Sequence, residues 1–215
     1  MTMPATTVIS IRRSEAGYLD ALATYLGDHA PERIYALGNV DLLQQKSFAL
    51  FCSVKCPGEL ILKTYDLACA LRDDRITVIS GFHSPMEREC LSLLLRGKQP
   101  VIWCLARRLI SRRLTKEYAE SLSSGRLLIL SSFKEGIGHA TEDTAHIRNE
   151  FVAALADRIF VVHAFPGGGI EGLCRKALTW GKPLLTFNSP DNAALLTMGA
   201  RPYSSFSSLF PTRHR

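Results

Sequence analysis

Three short stretches of this sequence combine residue types that can hold a phosphate. The first is Ser80-Gly81-Phe82-His83-Ser84-Pro85. Glycine lets a backbone approach a ligand closely. Ser84 suits a helix N-cap, and Pro85 suits the first helical position, where a missing N–H costs nothing. The free N–H groups of such a helix start attract an anion, with the helix dipole behind them, and His83 adds a donor. The second stretch is Pro166-Gly167-Gly168-Gly169, followed by Ile170 and Glu171. A loop without side chains at a helix start has the shape of a phosphate cradle. It matches neither GxGxxG nor GxxxxGK[ST], which argues against an ATP-hydrolysing P-loop. The third is His146-Ile147-Arg148-Asn149-Glu150, in which Arg148 offers a planar guanidinium fork. Each stretch also has a plain structural reading: a capped turn, a loop kept small for packing, and a surface arginine paired with Asp143 or Glu150.

Other groups narrow the chemistry. Arg107, Arg108, Arg112, Arg113 and Lys116 form the densest basic cluster, either a phosphate contact or solvated surface. The six cysteines include no CxxC, and Cys52 and Cys56 have no second pair to complete a zinc site. They read as reduced and mostly buried thiols. His139, His146 and His163 fall on different elements and read as isolated histidines, so no metal and no cofactor is expected. No Ser/His/Asp ordering suggests a nucleophilic triad. Glu171 and Glu150 are the acids available for proton transfer. Phe82 and Phe133 are the loop aromatics on which a base could stack.

The elements that must position these residues follow from the apolar pattern. The chain has 215 residues, 47% hydrophobic and 21% charged, which suits one domain with an ordinary core. Short apolar runs alternate with turns and helix-period stretches, the signature of a parallel sheet with covering helices. Strands are predicted at 34–37, 47–52, 77–80, 101–105, 127–130, 159–162 and 183–187. Helices are predicted at 15–27, 59–72, 85–96, 116–122, 141–155 and 170–180. In open sheets of this kind ligands bind beyond the C-terminal strand ends. The loops that matter are therefore 53–58, 81–84, 106–113, 131–140 and 164–169. Residues 1–30 are expected as an N-terminal helical extension, 31–203 as the domain and 204–215 as a loosely ordered basic tail. The net charge of +6 permits a polyanionic partner. No window approaches the roughly 20 apolar residues of a membrane span. The N-terminus lacks a secretory pattern, so a cytoplasmic protein without membrane attachment is expected.

Taken in order, these features carry a family resemblance. Val78-Ile79-Ser80-Gly81-Phe82-His83-Ser84 is followed by Arg148-Asn149-Glu150, then by Ala153-Ala154-Leu155-Ala156-Asp157 and an apolar strand. A glycine loop with Glu171, then Gly181-Lys182-Pro183, then an Asn192 to Pro202 segment complete the series. This order resembles the DprA/Smf DNA-processing proteins, closest to their short, single-domain relatives within the wider SLOG group. The resemblance spans roughly Pro31 to Tyr203. It implies an α/β fold, a Rossmann-like three-layer sandwich with a mostly parallel central sheet. For full-length relatives it also implies single-stranded DNA binding and loading of the RecA recombinase. The implied partners are thus single-stranded DNA or a phosphorylated nucleotide, a recombinase, and a second copy in a homodimer.

By match, the phosphate contacts fall on Ser80, Gly81, Arg148, Asn149 and Gly167 to Gly169, with Ser53 in the place of the family's Gly-Ser-Arg loop. Phe82, His83 and Ser84 beside Gly81, Glu171 after the glycine run and Arg107 of the basic cluster join them. The sequence also departs from the pattern. The first loop reads Cys52-Ser53-Val54-Lys55, without the family's glycine and arginine. The Ser-Gly-x-Ala-x-Gly-Ile-Asp run becomes Ser80 through Glu87, and Glu150 reverses the charge of the third member of an Arg-Asn-Arg motif. A second SLOG branch, the LOG-type phosphoribohydrolases, cleaves nucleoside monophosphates with an arginine and a Pro-Gly-Gly-x-Gly-Thr-x-x-Glu motif. Pro166-Gly167-Gly168 is similar to its start, but Ile170 and Glu171 stand where Gly-Thr belongs. Under that alternative Glu171 and Arg148 are the catalytic pair.

Overall fold

The computed structural model describes residues 7–15, 18–72, 75–109, 114–134 and 136–205. Its strands are β1 (Ile9–Arg12), β2 (Arg33–Gly38), β3 (Ser47–Phe51), β4 (Thr77–Ser80), β5 (Val101–Leu105), β6 (Leu127–Ser131), β7 (Arg158–Val161), β8 (Leu184–Phe187) and β9 (Arg201–Tyr203). Its helices are α1 (Asp20–Leu26), α2 (Gly58–Arg72), α3 (Pro85–Leu95), α4 (Lys116–Ser123), α5 (Glu142–Leu155), α6 (Gly169–Thr179) and α7 (Ala193–Met198). The described strands form one mixed sheet in the order β1-β2-β6-β5-β4-β3-β7-β8-β9. The pairs β1–β2 and β2–β6 are antiparallel, and the other six neighbouring pairs are parallel.

Every residue of β3, β4, β6 and β8 is buried. Parallel strands covered on both faces need continuous apolar runs rather than alternation, and that is what these segments contain. The pleat sorts them into two cores. Phe48, Leu50, Val78, Val101 and Phe160 pack with residues of α2, α3 and α4, among them Leu60, Leu94 and Leu122. Ala49, Phe51, Ile79, Ile102 and Val161 pack with residues of α1, α5, α6 and α7, among them Leu22, Phe151, Leu173 and Leu195. This is the three-layer sandwich that the sequence implied.

The strand order sets the position of the site. From β3 the chain steps outward through β4 and β5 to β6, and then α5 returns across the other face to β7, beside β3. Right-handed crossovers force the helices of the two directions onto opposite faces. The sheet therefore changes direction between β3 and β7, where strand ends splay and a ligand crevice opens. Lys182 anchors the returning helix. Its Nζ donates to the carbonyls of Ala154 (2.9 Å) and Ala156 (2.6 Å) at the end of α5. Burial lowers its pKa to about 8.

The edges differ from the sequence expectation. The first thirty residues contain the strand β1, and α1 begins five residues later than the predicted helix. Ile9-Ser10-Ile11-Arg12 is a four-residue, largely exposed edge strand, too short to impose a readable period. β9 was also unforeseen. It carries Pro202, which lacks an N–H and is tolerated in a strand at a sheet edge. The tail at 206–215, and Arg112 and Arg113 of the basic cluster, lie outside the described residues.

Candidate functional site

A cleft of about 200 Å³ lies at the switch point. Its lining includes Cys52, Ser53 and Val54 after β3, His83, Ser84 and Glu87 after β4, Ala145, Arg148 and Asn149 on α5, and Gly169 and Ile170 at the start of α6. All three phosphate-like stretches of the sequence thus contribute to one wall or another.

The β4 wall is built first by local chemistry. Ser84 caps α3 by accepting from the Glu87 backbone N–H (3.3 Å), and Pro85 occupies the first helical position. The Glu87 carboxylate turns back into the loop. One oxygen accepts from the N–H of His83 (2.8 Å) and Ser84 (3.4 Å), and the other from the N–H of Cys52 (2.9 Å) at the end of β3. Burial pushes its pKa up, against the pull of these N–H groups and of Arg148. Ser80 is equally committed. Its hydroxyl donates to the Leu50 carbonyl (2.7 Å) and accepts from the Phe82 N–H (3.2 Å), with the residue fully buried. Phe82 has φ +46°, the one positive φ among the described non-glycine residues, and its ring is buried. That conformation costs about 1 to 3 kcal/mol. The anion-holding donors that the sequence suggests here are already occupied by the protein's own groups, and of those side chains only His83 is exposed.

The opposite wall is α5. Arg148 is only 4% exposed, and its guanidinium lies directly against Gly81, where any Cβ would overlap it. This contact is the reason for glycine at 81, whose own φ is ordinary. Arg148 Nε donates to Asn149 Oδ1 (2.8 Å), and Nη1 reaches the Cys104 carbonyl at the end of β5 (3.5 Å). Nη2 makes no hydrogen bond to any described residue. Desolvation lowers the arginine's pKa and Glu87 opposes that effect, but a guanidinium stays protonated across the physiological range. The Asn149 amide nitrogen is likewise left to donate once its oxygen holds Arg148.

The third wall joins β3 to α6. Ser53 N–H donates to the His163 carbonyl (2.9 Å), and its Oγ accepts from the Phe165 N–H (2.9 Å), so the loops after β3 and β7 are tied together. Gly168 is the N-cap of α6 and supplies no side-chain cap, and among the described residues no side chain caps this helix start, whose Gly169 and Ile170 line the cleft. Gly167, at φ +74°, donates its N–H to Glu171 (3.0 Å) and shapes the turn. Asn192 braces the same region from below, donating to the Val162 carbonyl (2.9 Å) and Thr186 Oγ1 (2.8 Å) while its oxygen meets His163 Nδ1 (3.1 Å).

Several sequence-selected residues do not converge here. Arg107 is absent from the lining, and its carbonyl accepts from Ser131 instead (2.7 Å). Glu171 points along its own helix, bonded to Gly167 and paired with Arg175 (3.4 Å). Glu150 pairs with Lys176 (2.7 Å) on α6 rather than facing the cleft. Phe133, like Phe82, is buried. Cys52, in contact with Cys56 and desolvated, has its thiol pKa raised far above the ordinary range, which leaves it unreactive as a nucleophile. The aromatic that the sequence reading missed is Phe165, 52% exposed beside Ser53. A hydrophobic residue in a loop gives no sequence signal of exposure.

Comparison with known proteins bears on this architecture. A model of the family described as DNA recombination-mediator protein A matches residues 10–202. The fold is similar to that of DNA processing protein A (DprA) from Streptococcus pneumoniae, with a TM-score of 0.77 and 18% identity over 94% of this chain and 73% of that one. It is also similar to DNA processing protein A from Helicobacter pylori, a protein with a described single-stranded DNA binding mode. There the TM-score is 0.76 and the identity 19%, over 96% of this chain and 95% of that one. At such identities the likeness carries the fold. No curated protein matches significantly.

Proposed function

Because the chain belongs to the DNA recombination-mediator protein A family, we propose that the cleft between β3 and β7 binds the phosphate backbone of single-stranded DNA. The observation that carries this reading is Arg148. It is a buried cation, pinned by Asn149 and Gly81 in a cleft, with one guanidinium nitrogen left without an acceptor among the described residues. A phosphate oxygen matches that vacancy in charge and geometry. Asn149 and the uncapped start of α6 add neutral donors, and a helix N-terminus favours an anion. The positive net charge of +6 assists encounter with a polyanion.

The hydrolytic alternative gains no particular observation, since the Glu171 carboxylate is held by Gly167 and Arg175 outside the cleft. No helix among the described residues is long and apolar enough to cross a membrane.

The test is fluorescence anisotropy with a labelled oligothymidine across a salt series. Affinity is expected to fall as salt rises, with a log–log slope of about −0.7 per neutralised phosphate. Arg148→Ala is expected to weaken binding at least about tenfold, the scale of one charged hydrogen bond, with the variant's fold checked by circular dichroism. Absence of binding by the wild-type protein at low salt would sink the reading. A mononucleotide that competes as well as the oligomer would move the ligand from DNA to a free nucleotide.

A further inference from the structure

The mouth of the cleft also carries exposed apolar side chains. Among the described residues five large hydrophobic side chains stand out as exposed: Ile9, Val54, Leu62, Ile147 and Phe165. Two of them, Val54 at 69% and Phe165 at 52% exposure, sit on the loops that flank the switch point. Val54 lines the cleft itself. Phe165 is joined to that lining by the hydrogen bond from its N–H to Ser53 Oγ.

Phe165 is also held rigidly. Its carbonyl accepts from the Gly168 N–H (2.9 Å) in a tight turn, and a Cβ at 168 would come within 3.0 Å of that oxygen. Gly167 takes a positive φ that favours glycine and is itself pinned by Glu171. The glycine run thus holds the backbone of an aromatic residue beside a polar cleft. A ring left in water at this place loses hydrophobic stabilisation that a buried position would give. A nucleobase recovers it by stacking, and a base is what a backbone phosphate in the cleft would bring alongside.

Resting on the single-strand reading above, we propose that Phe165, flanked by Val54, is the nucleobase platform of the site: a base adjoining the phosphate at Arg148 stacks on the exposed ring. Every base has a π face, so the platform is tolerant of sequence. It replaces Phe82 and Phe133, whose rings are buried.

The experiment compares wild type with Phe165→Ala, Phe165→Trp and Val54→Ala on oligothymidine and on an abasic oligomer of equal length. Phe165→Ala is expected to weaken oligothymidine binding about tenfold, with an unchanged salt slope. Phe165→Trp should restore affinity, and its indole fluorescence should be quenched by the oligomer. Val54→Ala should weaken binding less than Phe165→Ala does. On the abasic strand wild type and Phe165→Ala should bind alike. Equal affinities of the two proteins for oligothymidine would overturn the platform. So would an equal loss for Phe165→Ala on both strands. A change of oligomeric state in Phe165→Ala, without loss of binding, would assign the ring to self-association and overturn it as well. Failure of wild type to bind even the abasic strand would instead remove the phosphate reading, and the platform with it.

Discussion

The two walls of the cleft handle their polar groups in opposite ways. On the β4 side the Ser80 hydroxyl and the N–H groups of Cys52, His83 and Ser84 all end on protein partners, three of them on the Glu87 carboxylate. On the α5 and α6 side Arg148 Nη2, the Asn149 amide nitrogen and the first-turn N–H groups of α6 end on none of the described residues. A buried donor without a partner costs about 1 to 3 kcal/mol, so a wall of open donors makes sense only beside solvent or a ligand. The motif most visible in the sequence is therefore the framework, and the less visible helix carries the donors left open.

The most disruptive way to break this contrast is Gly81→Ala, which places a methyl in the Arg148 guanidinium. Both walls should fail together. Stability should drop by about 1 to 3 kcal/mol, as for other overpacked sites, and oligothymidine affinity should fall as far as in Arg148→Ala. Denaturant melts and anisotropy measure the two effects.

Glu87→Ala should separate them. It strands three N–H groups at a buried position, and a loss of about 3 kcal/mol in a denaturant melt is expected. Affinity of the folded protein should stay within a few-fold. The loss should also depend on pH. Burial raises the folded-state pKa of Glu87 above its unfolded value, so the folded state holds this proton more tightly. The stability it contributes is complete below the unfolded pKa and declines as pH rises through the raised one. The gap between wild type and Glu87→Ala should therefore be widest in acid and narrow towards neutrality. The reverse trend would mean that the N–H bonds outweigh desolvation.

Ser80→Ala should cost about 1 to 2 kcal/mol in the same melt by removing the Leu50 bond, with no change in binding. A large loss of affinity would instead place Ser80 among the contact residues. The smallest effect is expected for Glu171→Gln. The amide oxygen can still accept from Gly167, so binding should change less than twofold. A large loss of turnover of a nucleoside monophosphate, were one found, would return Glu171 to the chemistry.

How far the sequence reveals this molecule depends on how local the signal is. The buried strands β3 to β8 announce themselves because their apolar runs are continuous, and the Ser84-Pro85 cap of α3 because it lies within four residues. The edge strands β1 and β9 escape because they are short and half exposed, with little hydrophobic pattern to read. Arg148 stands out by its guanidinium fork, but nothing in His146 to Glu150 foretells a neighbour at Gly81. The role of Glu87 is hidden for the same reason: its partner Cys52 is 35 residues away. Phe82 and Phe165 show the limit most sharply. Both are phenylalanines in short loops that contain glycine, yet one ring is 3% exposed and the other 52%.

The Ser53–Phe165 hydrogen bond joins residues 112 positions apart across the line where the sheet changes direction. A ligand seated on Arg148, Ser53 and the α6 start would grip both halves of the sheet at once. It would act as a clasp, and would be felt far from the cleft: saturation should raise the melting temperature of the whole domain and slow hydrogen exchange in β3 and β7 together.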